Sequence, residues 1–191
     1  MEGVMSAGGN PNNIELGPGR LYVAAVGTTA PVSASAAMPS AWWALGYTEE
    51  GTTVDIDITR DPIEVAEELD PVDYANSARA VKFSMALAEM TKKRLAVALA
   101  LGSGYTDDGA YLDFPAADAV SVGVALVWDS SEDPTDGLNR RWYVPKVLPS
   151  GTISIERKKS PAKSTLPLEL NAVKVSGSPI VRVFPNASGL I

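Results

Sequence analysis

Any chemistry in this chain would have to run on carboxylates, lysines or tyrosines. Its 191 residues contain no histidine and no cysteine, which removes the commonest general base, the thiol nucleophile, thiolate metal sites and every disulfide. Asp55, Asp57, Glu64, Glu67 and Glu68 form an acidic cluster from which a glycosidase could take a carboxylate pair. Carboxylates on an exposed strand are ordinary surface, however, and such enzymes need aromatic-lined clefts. Asp107, Asp108 and Asp113, or Asp129, Glu132, Asp133 and Asp136, supply oxygen ligands suited to calcium. Neither group has the spacing of a calcium-binding loop, so solvated turns are the simpler reading. Gly17-Pro18-Gly19 has no helix behind it and Gly102-Ser103-Gly104 follows a helical stretch, so neither reads as a phosphate cradle. Trp42, Trp43, Trp128 and Trp142 read as core or interface anchors. The residues therefore point to no enzyme, no cofactor and no resident metal.

Charge is distributed unevenly along the chain. Between residues 49 and 73 ten acids face the single base Arg60, a net of −9, whereas from residue 140 to the end nine bases face Glu156 and Glu169, a net of +7. Two solvated faces would account for this, and so would subunits that stack with one region against the other. Arg157, Lys158, Lys159 and Lys163 are the densest basic run. No aromatic residue interleaves with them and the chain as a whole carries −7, so contact between subunits is favoured over nucleic-acid binding. The longest apolar run, residues 95–101, falls far short of the ~20 residues of a membrane-spanning helix. Residues 1–19 lack the basic start and apolar stretch of a secretory signal, so a cytoplasmic product is expected.

The elements that would position these residues are mostly strands. Residues 1–19, dense in Gly, Asn and Pro, read as a flexible arm, with one domain over 20–191. Strands are expected at 21–26, 42–50, 80–87, 120–128, 140–147, 152–157, 165–175 and 180–184, with a long loop over 27–40. The cleanest alternation puts Val54, Ile56 and Ile58 on one face and Thr53, Asp55, Asp57 and Thr59 on the other. Arg60-Asp61-Pro62 then reads as a turn, and residues 63–69 as a returning strand that completes a hairpin over 52–69. The rival reading of 63–69 is a helix capped by Asp61. One helix is expected over 91–101, with Thr91 as N-cap, Gly102 as the stop and Glu89 as the acid offsetting its basic first turn. Many short strands and one helix predict a mainly β fold, a sandwich or barrel with the helix packed on it.

The segments GPGRLYVAAVGTTAP, AWWALGYTEEGTT, EVAEELDPV and VKFSMALAEMTKKRLAVAL, in this order over residues 17–102, resemble the major tail protein (tail tube protein) of long non-contractile phages, especially those of actinobacteria. The resemblance implies a tail-tube β-sandwich flanked by a helix, with a long hairpin and an extended N-terminal arm. It further implies hexameric rings stacked head to tail into a hollow tube, in which the hairpins build an acidic inner barrel and DNA passes without specific binding. On that reading Asp55, Asp57, Glu64 and Glu67 face the lumen, and Arg157, Lys158, Lys159 and Lys163 lie between rings. The partners implied are other copies, the tape measure, the tail terminator and the distal tail protein, with the product made in the host cytoplasm and located in the virion. The arm and the loop 27–40 are expected to order only on stacking. The rival is a monomeric β-sandwich binding or decoration module on a virion, with the tryptophans as a carbohydrate platform.

Overall fold

Alternation of apolar and polar side chains commits most of this chain to extended backbone. The computed structural model describes residues 19–103, 111–114, 116, 118–130, 139–155, 159 and 164–185. Along them run β1 (Arg20–Ala25), β2 (Trp43–Ala44), β3 (Thr48–Ile63), β4 (Asp73–Leu87), α1 (Lys92–Ala98), β5 (Val124–Asp129), β6 (Arg141–Ser150), β7 (Leu166–Ala172) and β8 (Arg182–Phe184). The strands pair antiparallel in the order β2-β1-β5-β6-β7-β4-β3, and β8 adds to β6. The fold is mainly β with one helix, as the sequence predicts.

The two ends of that order are one stretch of chain. β2 pairs with β1, the Leu45 N–H donates to the Leu21 carbonyl at 2.8 Å, and the Ala88 N–H donates to the Tyr47 carbonyl at 2.8 Å, just before β3 pairs with β4. The segment 43–48 thus bonds to both ends of the sheet and draws it around a core. Gly46 makes the crossing with φ of 109°, and a Cβ there would stand 2.6 Å from the Arg94 guanidinium. Only glycine fits both the conformation and the space.

Inside lie Leu21, Val23, Leu45, Phe83, Leu87, Leu126, Val144, Leu166 and Leu170, all fully buried. These are the inward positions of the alternating strands. α1 contributes Val97 and Ala98 to the same cluster. It begins at Thr91, whose side chain accepts the Arg94 N–H, as expected, but it stops at the cap Leu99, short of Gly102. Ala100 turns left-handed with φ of 59°, and Leu101 then bridges to Val122. Glu89 pairs at 2.7 Å with Arg94 in the basic first turn of the helix, as expected, and Lys93 lies over the Trp43 ring at 4.0 Å.

A second, smaller cluster of Ala24, Trp42, Ala125, Val127 and Tyr143 sits on the other face of β1, β5 and β6. Trp42 meets Tyr143 edge-on at 6.1 Å. Burial pushes the Tyr143 phenol above its ordinary pKa, an effect that nearby Arg182 opposes. The loop 27–42 covers this cluster, and buried polar groups hold it there. Arg141 makes a two-pronged pair with Asp129, the two side chains being 1% and 0% exposed. Its remaining terminal nitrogen donates to the carbonyls of Ser33 and Ala36, both at 2.8 Å. Asn139 donates to Ala34 at 2.9 Å, and the Trp42 ring nitrogen to Thr29 at 3.1 Å. The expectation that 27–40 orders only on stacking is therefore corrected, because the single chain already satisfies its carbonyls.

Two expected strands and one expected turn also differ. Residues 152–155 form no strand, because β6 continues past Pro149 to Ser150 and Gly151 turns the chain with φ of 78°. The strand expected over 120–128 begins only at Val124, leaving Val120 exposed. Residues 60–62 are not a turn, since β3 runs straight through them to Ile63.

Arg141→Met leaves the Asp129 carboxylate buried without its partner and is expected to lower unfolding stability by about 3–5 kcal/mol. Urea denaturation followed by circular dichroism measures this, and the double variant Arg141→Met with Asp129→Leu is expected to recover most of the loss. A single variant within about 0.5 kcal/mol of the parent would show that the pair is not what holds this loop.

Candidate functional site

β3 and β4 form a hairpin far longer than the body they start from. Their register runs from Thr48 opposite Leu87 out to Ile63 opposite Asp73. Near the body, β4 also pairs with β7, but only from Leu87 to Lys82. Beyond that point no other strand among the described residues pairs with the ribbon, and every residue from 56 to 80 is exposed. Backbone pairing continues regardless, and the Val72 N–H closes the tip on the Ile63 carbonyl at 2.9 Å. Pro62 is tolerated because β3 is an edge strand, where alternate N–H groups point away from the partner and a missing one breaks no ladder bond.

Residues directly opposite in an antiparallel pair share a face, so the register assigns two faces. One bears Asp55, Asp57, Thr59, Asp61, Ile63 and Asp73 with Ala75, Ala78 and Ala80. Lys82 is on this face at the root, 3.9 Å from both Asp55 and Glu169, pairs too open and too long to hold it firmly. The other face bears Ile56, Ile58, Pro62 and Tyr74 with Arg60 and Arg79. A bulge interrupts the ladder between Thr59 and Arg60 and leaves Ser77 unmatched. There the Ser77 hydroxyl donates to the Thr59 carbonyl at 3.3 Å, and Arg60 Nε donates to Asn76 Oδ1 at 3.1 Å. Bulges bend and twist a ribbon locally.

The sequence places the start of this hairpin well and its return wrongly. Asp55 and Asp57 share a face as expected. The returning strand is β4, not residues 63–69, so Glu64 and Glu67 fall in the exposed connection between strands rather than on the ladder. Asp61 and Asp73 take their place on the acidic face. Asp61 was legible, since it continues the two-residue period of Asp55 and Asp57 once Pro62 is not read as a break.

Of the basic run, Lys159 is exposed, while Arg157, Lys158 and Lys163 lie outside the described residues, as do residues 1–18 of the arm. Asp129 is committed to Arg141, and Asp113 is exposed; Asp107, Asp108, Glu132, Asp133 and Asp136 lie outside the described residues. Among the described residues no cluster of acidic side chains is arranged to hold a metal ion, and no helix is long and apolar enough to cross a membrane. A groove of about 440 Å³ runs beside β1, lined by Arg20, Tyr22, Tyr47, Glu89 and Arg94. Its carboxylate, Glu89, is bound to Arg94, so the groove does not present the acid pair a hydrolase needs. None of the four tryptophans is exposed, Trp128 and Trp142 leaning on each other at 5.9 Å, so they form no carbohydrate platform.

A family model described as phage tail tube protein matches residues 7–187. The chain belongs to that family. No match was found among curated proteins. A tail tube protein is a structural component of the phage tail, so the chain is a structural virion protein that assembles with itself and with other tail proteins.

Replacing residues 57–80 by Asn-Gly, which joins the opposed pair Ile56 and Val81 through a two-residue turn, removes no core side chain. The shortened protein is expected to unfold cooperatively at a midpoint close to the parent's, and to stay monomeric in analytical ultracentrifugation at concentrations where the parent associates. Unfolding of the body on this deletion would assign the ribbon an internal structural role instead.

Proposed function

We propose that this chain forms hexameric rings that stack head to tail into the hollow tail tube, through which the genome leaves the virion. The observation that carries the reading is the ribbon over residues 56–80: its two strands pair with each other, every one of its residues is exposed, and among the described residues no further strand pairs with it. Isolated two-stranded ribbons are marginal in water, and long free strand edges invite pairing with another chain. β3 is open along one margin, and β4 is open from Asp73 to Val81 along the other. Edge-to-edge pairing of successive copies uses both margins and ends only by closing on itself, which yields an inner barrel without edges.

The acidic face then lines the bore. Asp55 and Asp57, joined by Asp61 and Asp73, repel phosphate, the reverse of the attraction by which basic grooves hold DNA. Alanines between them keep that wall low. Glu64 and Glu67 at the ribbon tip add charge near the rim. Between rings, Arg157, Lys158, Lys159 and Lys163 meet the acidic region of the next copy. The tape measure, tail terminator and distal tail protein are the further partners, and the subunit is made in the host cytoplasm before it enters the tail.

Negative-stain microscopy of the purified protein is expected to show rings or tubes, and dispersed single particles at high concentration would sink the proposal. Asp55→Lys with Asp57→Lys is expected to leave tubes intact but slow DNA ejection from assembled particles, and unchanged ejection would remove the acidic-bore assignment. Charge pairing between rings predicts that raising salt from about 0.05 M to about 0.5 M, which shortens electrostatic reach to a few ångströms, yields shorter tubes.

A further inference from the structure

The chain enters the β3–β4 hairpin through residues 43–48 and leaves it through residues 88–94, and one side chain holds both segments. Arg94 Nε donates to the Leu45 carbonyl on the way in. On the way out, its Nη1 donates to Thr91 Oγ1 at 3.2 Å and its Nη2 meets the Glu89 carboxylate at 2.7 Å. A guanidinium is a planar fork with fixed donor directions, so three such partners hold it in one orientation. The Arg94 side chain is 14% exposed, and the helix that carries it is seated by buried Ala96, Val97 and Ala98. Gly46 lies directly against the same fork.

The two strands that start from this root are held unequally. From Lys82 to Leu87, β4 lies between β3 and β7 and pairs with both. β3 ends the strand order, and among the described residues β4 is the one strand it pairs with. Its ladder is also interrupted near the start: Thr48 faces Leu87 and Thr52 faces Met85, so residues 49–51 stand opposite Ala86 alone. A bulge of this kind breaks the ladder locally and changes the twist. Pairing with β4 therefore does not by itself decide how β3 rolls about β4. That depends on where the chain just before Thr48 is held, which is at Tyr47 by the Ala88 N–H and at Leu45 by Arg94.

Resting on the tube reading above, we infer that Arg94 is a positioning residue for assembly. By tying Leu45 to Glu89 and Thr91 it sets the roll of the ribbon on the body, and with it the direction in which the aspartate face turns. In this role Arg94 touches no second copy and nothing of the ribbon past its root. A ribbon on a loose root offers its edges over a range of angles, and association then has to supply the entropy of selecting one. A fixed root removes that cost before the copies meet.

The absence of cysteine allows spin labels at Val32→Cys on the loop and Ala78→Cys on the ribbon ladder, both exposed positions. Pulsed electron paramagnetic resonance then reads the distance between them in dispersed single chains. The parent is expected to give one narrow distribution. Arg94→Met keeps the stem and loses the fork, and is expected to widen the distribution about twofold or more, as release of a local anchor does. Unlabelled Arg94→Met is expected to yield about tenfold less sedimenting tube, the lost preorganisation being the cause, at a temperature where circular dichroism shows the body folded. Arg94→Lys, which keeps the charge facing Glu89 but not the fork, is expected to fall between the two. A side chain that merely stabilises the body would lower the unfolding midpoint and leave both the width and the tubes at the parent level, and that result overturns the inference. So does a parent distribution already as wide as the variant's, or a widened distribution with tubes at the parent level. A parent that never forms tubes overturns the tube reading and the assembly role together, while the widths still decide whether Arg94 sets the roll. Should Arg94→Met fail to fold, Arg94→Lys decides, and parent width with parent assembly overturns the inference.

Discussion

The structure depends on a backbone constraint: every strand must find partners for its N–H and C=O groups, and one pair of strands outruns the body that supplies them. Within the body the problem is solved by wrapping. The segment 43–48 bonds to β1 and then to β4, so the sheet's two ends share one stretch of chain. Among the described residues the longest free margins run along the exposed ribbon of β3 and β4, while β8, paired only with β6, leaves a short one. The longest run of unpaired backbone groups in the single chain therefore belongs to the ribbon rather than to the body.

The same separation explains what the sequence disclosed. Strands that face the core have one apolar side, and their alternation was readable: Val81, Phe83, Met85 and Leu87 are buried in the phase expected of them. The outward half of β4, from Asp73 to Arg79, has no such signal. Its Ala, Asn and Ser are residues that strands usually avoid, and solvent on both faces in the single chain leaves no pattern to select. Arg60-Asp61-Pro62 looked like a turn because proline normally ends a ladder, yet on an edge strand its missing N–H breaks nothing. Asp55 and Asp57 were found because they lie where the period-two signal is strongest. Asp73, Arg79 and Tyr74 were missed because only the register, set across the ladder, tells which face each occupies.

Burial of charge shows a different limit of sequence reading. Asp129 looked like one more acid in a turn-rich stretch, and Arg141 like one member of a basic half. In the fold they are a closed pair, 0% and 1% exposed, whose spare donors fasten the loop 27–42 across the outer face of β1, β5 and β6. Replacing such a pair by apolar residues is often neutral for stability, so what it contributes here is a defined loop path. The surface that this loop presents is thus built before any second copy arrives.

Continuity of the chain from Trp43 through Gly46 to Ile63 also has a mechanical meaning. A pull on the ribbon tip travels along one covalent strand into the place where the sheet closes, and it is resisted there by rows of hydrogen bonds to β1 and β4 loaded side by side rather than one after another. Such shear loading makes rupture require many bonds to yield together, and forced unfolding is governed by that rate. Strain applied to the ribbon is accordingly delivered to the place where the sheet closes.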